Sequence, residues 1–95
     1  MDKETRKKLN KGKKLANNAL YELGREYHQG IPFDLVESIM RRAEFEVDLD
    51  GIYVGREGKE TYPISFNEED TGLVLLLSWY KMEVTGNYEI TSYVS

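Results

Sequence analysis

Glu46, Asp48, Asp50, Gly51 and Glu57 stand at the first, third, fifth, sixth and twelfth positions of an EF-hand calcium loop, with helical sequence ahead of them. Carboxylates at that spacing can wrap a hard cation in oxygen ligands. The residues around them argue for a different structure. The first position is Glu rather than Asp, Phe45, Val47 and Leu49 alternate with the acids, and Gly58 and Pro63 break the helix that must follow. Period-two alternation belongs to a strand, so the stretch reads as a β-hairpin turning at Asp50-Gly51 rather than as an ion site.

The remaining chemistry-bearing residues are scattered. His28 is the single His, near the end of a helix where it suits the dipole, and there is no Cys to complete a zinc site or act as a nucleophile. Ser38, Ser65, Ser78 and Ser92 stand in no nucleophile elbow, and Gly55-Arg56-Glu57-Gly58 lacks the Lys-Ser/Thr of a phosphate loop. The sequence therefore predicts a protein that is not an enzyme and uses no cofactor or metal. Lack of Cys fits a reducing compartment, and neither a signal-like segment nor a membrane-length apolar run is present, so the expected location is cytoplasmic, with no membrane partner.

Charge is divided unevenly. Residues 1–14 hold seven basic and two acidic side chains, net +5, which leaves −9 on the rest of a chain whose total is −4. The acidic set comprises Glu46, Asp48, Asp50, Glu57, Glu68, Glu69 and Asp70, a surface able to imitate the phosphates of a duplex and attract a basic cleft. The basic set, Lys7, Lys8, Lys11 and Lys14, falls close to one face if the first helix reaches back that far, and could touch phosphates without reading sequence.

These side chains are positioned by a simple succession of elements. Leu9, Ala16, Leu20, Leu23 and Tyr27 recur at helical spacing, while Gly12 and the crowded lysines predict fraying before about Lys13. The expected organisation is thus a basic arm over 1–12 and one domain over 13–95. Gly30 and Pro32 end the first helix near Gln29. Asp34 and Glu37 have capping-box spacing for a second helix, whose buried stripe is Leu35, Val36, Ile39, Met40 and Ala43. A hairpin follows, pairing Leu49 with Ile52 and Val47 with Val54. The next strand faces Tyr62, Ile64 and Phe66 inward, with Pro63 marking it as an edge or as weakly paired on that side. Asn67 to Gly72 reads as an acidic loop.

The run Leu73-Val74-Leu75-Leu76-Leu77 is apolar on both alternating sets, the mark of a strand covered on both faces. A three-residue Thr85-Gly86-Asn87 loop pairs Val84 with Tyr88, Met82 with Ile90, Ser78 with Val94 and Trp79 with Tyr93. That register turns Tyr80, Met82, Val84, Tyr88, Ile90 and Val94 toward the helices. It leaves Leu75, Leu77, Trp79 and Tyr93 as an apolar stripe on the second face. The predicted fold is α+β, two N-terminal helices on one face of a five-stranded antiparallel meander.

This arrangement on a small acidic chain is similar to the uracil-DNA glycosylase inhibitor family, a likeness of architecture without a shared motif, from which the basic N-terminal segment departs. Three functions are expected from these features. The first is a protein-binding or self-associating module, a homodimer for example, joined through Leu75, Leu77, Trp79 and Tyr93. The second is an acidic inhibitor that mimics DNA toward a nucleic-acid-handling protein. The third is a polyanion-binding adaptor acting through the lysine segment.

Overall fold

The computed structural model describes residues 2–27, 30–54, 59–79 and 86–92. The fold is α+β. Helix α1 (Lys3–Glu26) and helix α2 (Phe33–Arg42) pack on an antiparallel sheet of β1 (Phe45–Val47), β2 (Tyr53–Val54), β3 (Glu60–Phe66), β4 (Glu69–Trp79) and β5 (Gly86–Ser92).

Residues 3–12 belong to α1 rather than to a frayed arm. Asp2 caps the helix by accepting the Thr5 backbone N–H at 2.7 Å, a bond that lowers the pKa of its carboxyl. Leu9 and Gly12 are buried, so the sheet side holds the first turns in place. A Cβ at Gly12 would stand 3.4 Å from the Ala43 carbonyl oxygen and from Phe45 Cζ, so α1 lies close over the end of α2 and the start of β1. The stripe of α2 is as the spacing predicts, with Val36, Ile39 and Met40 buried and Leu35 and Ala43 packed beside them. Its capping box does not form. Pro32 is the N-cap, Asp34 lies one residue into the helix, and Glu37 instead holds Arg41 at 3.2 Å one turn on.

The expected meander is not what the strands build. β1 and β2 do not pair with each other; both lie along the same side of β3, with Phe45 opposite Phe66 and Tyr53 opposite Thr61. The gap between them falls opposite Pro63. Proline has no N–H to return to a neighbouring strand, so the ladder on that side stops after Val47 opposite Ile64 and a single bond from Asp48 N to Pro63 O. Residues 48–52 then loop out, held by Asp48 Oδ1, which accepts from the Asp50 and Gly51 N–H groups at 3.1 Å each. Asp50-Gly51 is therefore part of a loop in an interrupted edge, and the Val47–Val54 and Leu49–Ile52 pairings are absent. Pro63 sits in an interior strand rather than at an edge, and the weak pairing expected as the alternative is what the interrupted ladder shows on that side.

Asn67 and Glu68 form a two-residue turn with φ of 50° and 64°, closing Phe66 onto Glu69, so the supposed acidic loop is mostly strand. A bulge follows at Thr71-Gly72. The Thr71 hydroxyl donates to Ile64 O at 2.7 Å and accepts from Leu73 N, and Gly72 supplies a φ of 72°.

After the bulge, Ile64 faces Leu73 and Tyr62 faces Leu75, which brings the odd-numbered residues of β4 to the helices beside Ile64 and Phe66. β5 continues the same layer, with Leu75 opposite Ile90 and Leu77 opposite Tyr88. This register differs from the expected one by an odd number of residues, which exchanges the two faces of β4, while Tyr88 and Ile90 of β5 face the helices as expected. The connecting residues 80–85 lie outside the described residues, as do Tyr93 and Val94. The core is thus Leu9, Ala16 and Leu20 of α1, Val36, Ile39 and Met40 of α2, and Phe45, Ile64, Phe66, Leu73, Leu75 and Ile90 of the sheet. Phe45 and Phe66 meet nearly edge-on at 5.9 Å.

Asn17 joins α1 to β5. Its amide nitrogen donates to Ile90 O at 3.0 Å, and its oxygen accepts from Ile90 N at 2.7 Å. A side-chain amide thereby takes the place of a neighbouring strand at the β5 edge.

Candidate functional site

Leu75 and Leu77, two of the four residues expected to meet a partner, are not on the surface. Leu75 is fully buried and Leu77 nearly so, both on the side toward the helices. The Trp79 side chain and Tyr93 fall outside the described residues. The face away from the helices instead carries Val74 and Leu76, with Pro63, Thr61, Thr91 and Glu89 on adjoining strands.

The acidic residues are gathered more closely than their sequence positions suggest. Two open hollows meet at the β1 edge and share Glu46, Val47, Leu49 and Glu68. The first, about 580 Å³, lies between α2 and β1, floored by Phe33, Met40 and Phe45 and rimmed by Glu37, Arg41 and Glu44. The second, about 740 Å³, runs over the outer side of β1 and β3 and adds Asp48, Asp50, Pro63 and Asp70. Together these adjoining hollows form a groove around the β1 edge with an apolar base and a mainly acidic rim, on which Arg41 is paired with Glu37 at 3.2 Å. Of the expected acidic set, Glu46, Asp48, Asp50, Glu68 and Asp70 line it. Glu69 is exposed on β4 but does not line either hollow, and Glu57 lies outside the described residues. Glu37 and Glu44 were missed by sequence reasoning, because only folding brings the α2 side of the groove against β1.

The broken edge creates this concavity. Looping out at Pro63 puts Leu49 on the rim, half exposed, with Ile52 and Tyr53 exposed nearby. Asp48 and Asp70 each spend one oxygen on their own turns, Asp70 Oδ1 accepting from Gly72 N at 3.0 Å. The other oxygens are open to solvent or a ligand.

Backbone conformation marks the same place. Among the described residues, the non-glycine positions with positive φ are Glu44, Asn67 and Glu68, and all three line the hollow beside α2. Asn tolerates the left-handed region, whereas Glu is strained there. Glu44 (φ 62°) ends α2 where glycine is the usual residue, its N–H bonded to Arg41 O. Replacing Glu44 or Glu68 by Gly should raise stability by about 0.5–1 kcal/mol each, the relief of strain exceeding the added freedom of the unfolded chain. Urea denaturation checks this, and a loss of stability in both variants contradicts the strain.

Among the described residues no group of three His, Asp or Glu side chains is placed to hold a metal ion. His28 lies outside them. Tyr62 is pushed up to about 12 by burial, and then by the Glu60 carboxylate, which accepts its hydroxyl at 2.9 Å. Burial raises Tyr88 as well, followed by Glu60. Both phenols therefore stay protonated near neutrality and serve packing; Tyr88 also stacks obliquely on Phe33 at 5.9 Å.

The lysines form a second charged surface. With α1 reaching back to Lys3, a step of about 100° per residue sets Lys3, Lys7, Lys11 and Lys14 in a narrow outward stripe, with Lys8 on its flank. All five are exposed. No helix among the described residues is long and apolar enough to cross a membrane. Comparison with protein-family models, curated proteins and solved structures yielded no match. The architectural likeness to the glycosylase inhibitor family thus gains no support from them.

Proposed function

We propose that the protein is a non-catalytic binding module whose acidic groove at the β1 edge takes up a basic, partly apolar segment of a protein partner. The observation that carries this reading is the pair of glutamates at left-handed positions on the groove wall. Glycine at either site is easier for the backbone, so the carboxylates stand there at a conformational cost. Leu49 and the apolar floor offer surface to the hydrophobic part of the same ligand.

Concavity favours this over the inhibitor that imitates DNA. A phosphate mimic must project carboxylates into a basic cleft, whereas most of these acids border hollows and suit a protruding cationic segment. A short synthetic Lys/Leu peptide, titrated calorimetrically, should bind at low salt and weaken as salt screens the rim. The Glu46→Gln, Asp50→Asn, Glu68→Gln triple variant should bind it about tenfold more weakly or worse, since each exposed charge contributes a few tenths of a kcal/mol or more to such an encounter. Equal affinity for wild type and variant sinks the proposal.

A further inference from the structure

The outer face of α1 is an unpartnered helix face, and its chemistry is the complement of the groove. Lys3, Lys7, Lys11 and Lys14 run along it over about 17 Å at 1.5 Å per residue. Tyr21 continues the line two turns on, and Leu15 lies on its flank; both are well exposed, at 69% and 60%. Large apolar residues among lysines make a surface suited to more than solvation. The groove shows the converse pattern, carboxylates around the exposed Leu49, with Ile52 and Tyr53 nearby.

Within one copy the two surfaces cannot meet. Gly12 stands over Ala43 and Phe45, so the buried side of α1 faces β1 and the lysines on the opposite side of the helix point away from it. We propose that the occupant of this helix face is a second copy of the chain, the lysine ridge of one molecule lying in the acidic groove of the next. This rests on the groove reading above and adds the identity of one ligand. Because the two patches face opposite ways, they cannot both meet in one two-fold pair, so the contact is heterologous and propagates into rings or open chains. The contact is made by side chains and not by adding a strand to either sheet edge, one ladder being interrupted at Pro63 and the other edge occupied at Ile90 by Asn17.

Sedimentation velocity on the full chain tests the proposal. At low ionic strength the weight-average mass should climb past that of a dimer as concentration rises, and return to monomer at high salt. A ridge variant (Lys7→Gln, Lys11→Gln, Lys14→Gln) and a groove variant (Glu46→Gln, Asp50→Asn, Glu68→Gln) should each be monomeric alone. Mixed, they should form a one-to-one complex and nothing larger, because each supplies the surface that the other lacks. Wild type that stays monomeric at low salt overturns the proposal, as does assembly of either variant by itself. Circular dichroism checks that the variants fold, and the wild-type salt series decides the question if one does not. A monomeric wild type that still binds the Lys/Leu peptide removes self-association and leaves the groove reading standing; loss of both removes both.

Discussion

Replacing Asn17 by Ala should destabilise the protein by about 2–4 kcal/mol, far more than the loss of a half-buried polar side chain ordinarily costs. Asn17 satisfies both backbone groups of Ile90 at the edge of β5, and Ile90 itself is almost entirely buried. Removing the amide leaves a donor and an acceptor without partners, at about 1–3 kcal/mol each, less whatever water recovers. Asn17→Leu keeps the bulk without the hydrogen bonds and should be no better than Ala. Urea denaturation followed by circular dichroism measures both, and a Leu variant as stable as wild type shows that packing alone mattered. The Ala variant should also aggregate more readily, since the amide no longer occupies a strand edge able to pair with another chain.

The second large effect separates two neighbours. Leu75→Ala should cost about 3–5 kcal/mol, and Leu76→Ala about 1 kcal/mol. Leu75 is fully buried at the centre of the helix-facing core, between Tyr62 and Ile90 on the flanking strands. Leu76 points to the other face, between Thr61 and Glu89, and is only half buried. If the faces were exchanged, as the expected hairpin register has them, Leu76 would be the costly site. Thermal and urea unfolding of the two variants under the same conditions decide between the registers, because the order of their stabilities reverses.

What the chain reveals before folding depends on whether a signal is local. The stripe of α2 and the inward set Tyr62, Ile64 and Phe66 follow from periodicity and stand where expected. The doubled alternation at Leu73 to Leu77 correctly marks a strand with apolar residues on both faces. Which face meets the helices is not local. It is set by the bulge at Thr71-Gly72 and by the register of β4 on β5, and an odd change in that register moves the β4 side chains across the sheet while Tyr88 and Ile90 keep their face. Asp50-Gly51 has the composition of a hairpin turn, yet Pro63, more than ten residues later, withholds the bond that would carry the ladder onward. Gly12 has the composition of a breaker in a repelling lysine run, yet it lies on the buried side of α1 with Leu9, and the helix continues through it. Charge reading found five of the groove's carboxylates. It could not find Glu37 and Glu44, which reach the site only through the packing of α2, nor the positive φ of Glu44 and Glu68.

The pair formed by Asn17 and Ile90 also fixes a sequence of events in time. The two residues are 73 apart, so their bonds close a loop that includes α2 and most of the sheet. A helix such as α1 can form within about a microsecond, whereas pairing across so much chain waits on a slow entropic search. Until β5 arrives, the face of α1 that holds Ala16 and Leu20 lacks the strand it packs against. Neither half of the chain is a complete folding unit, and the molecule acquires its α1-to-β5 closure only in the step that joins its beginning to its end.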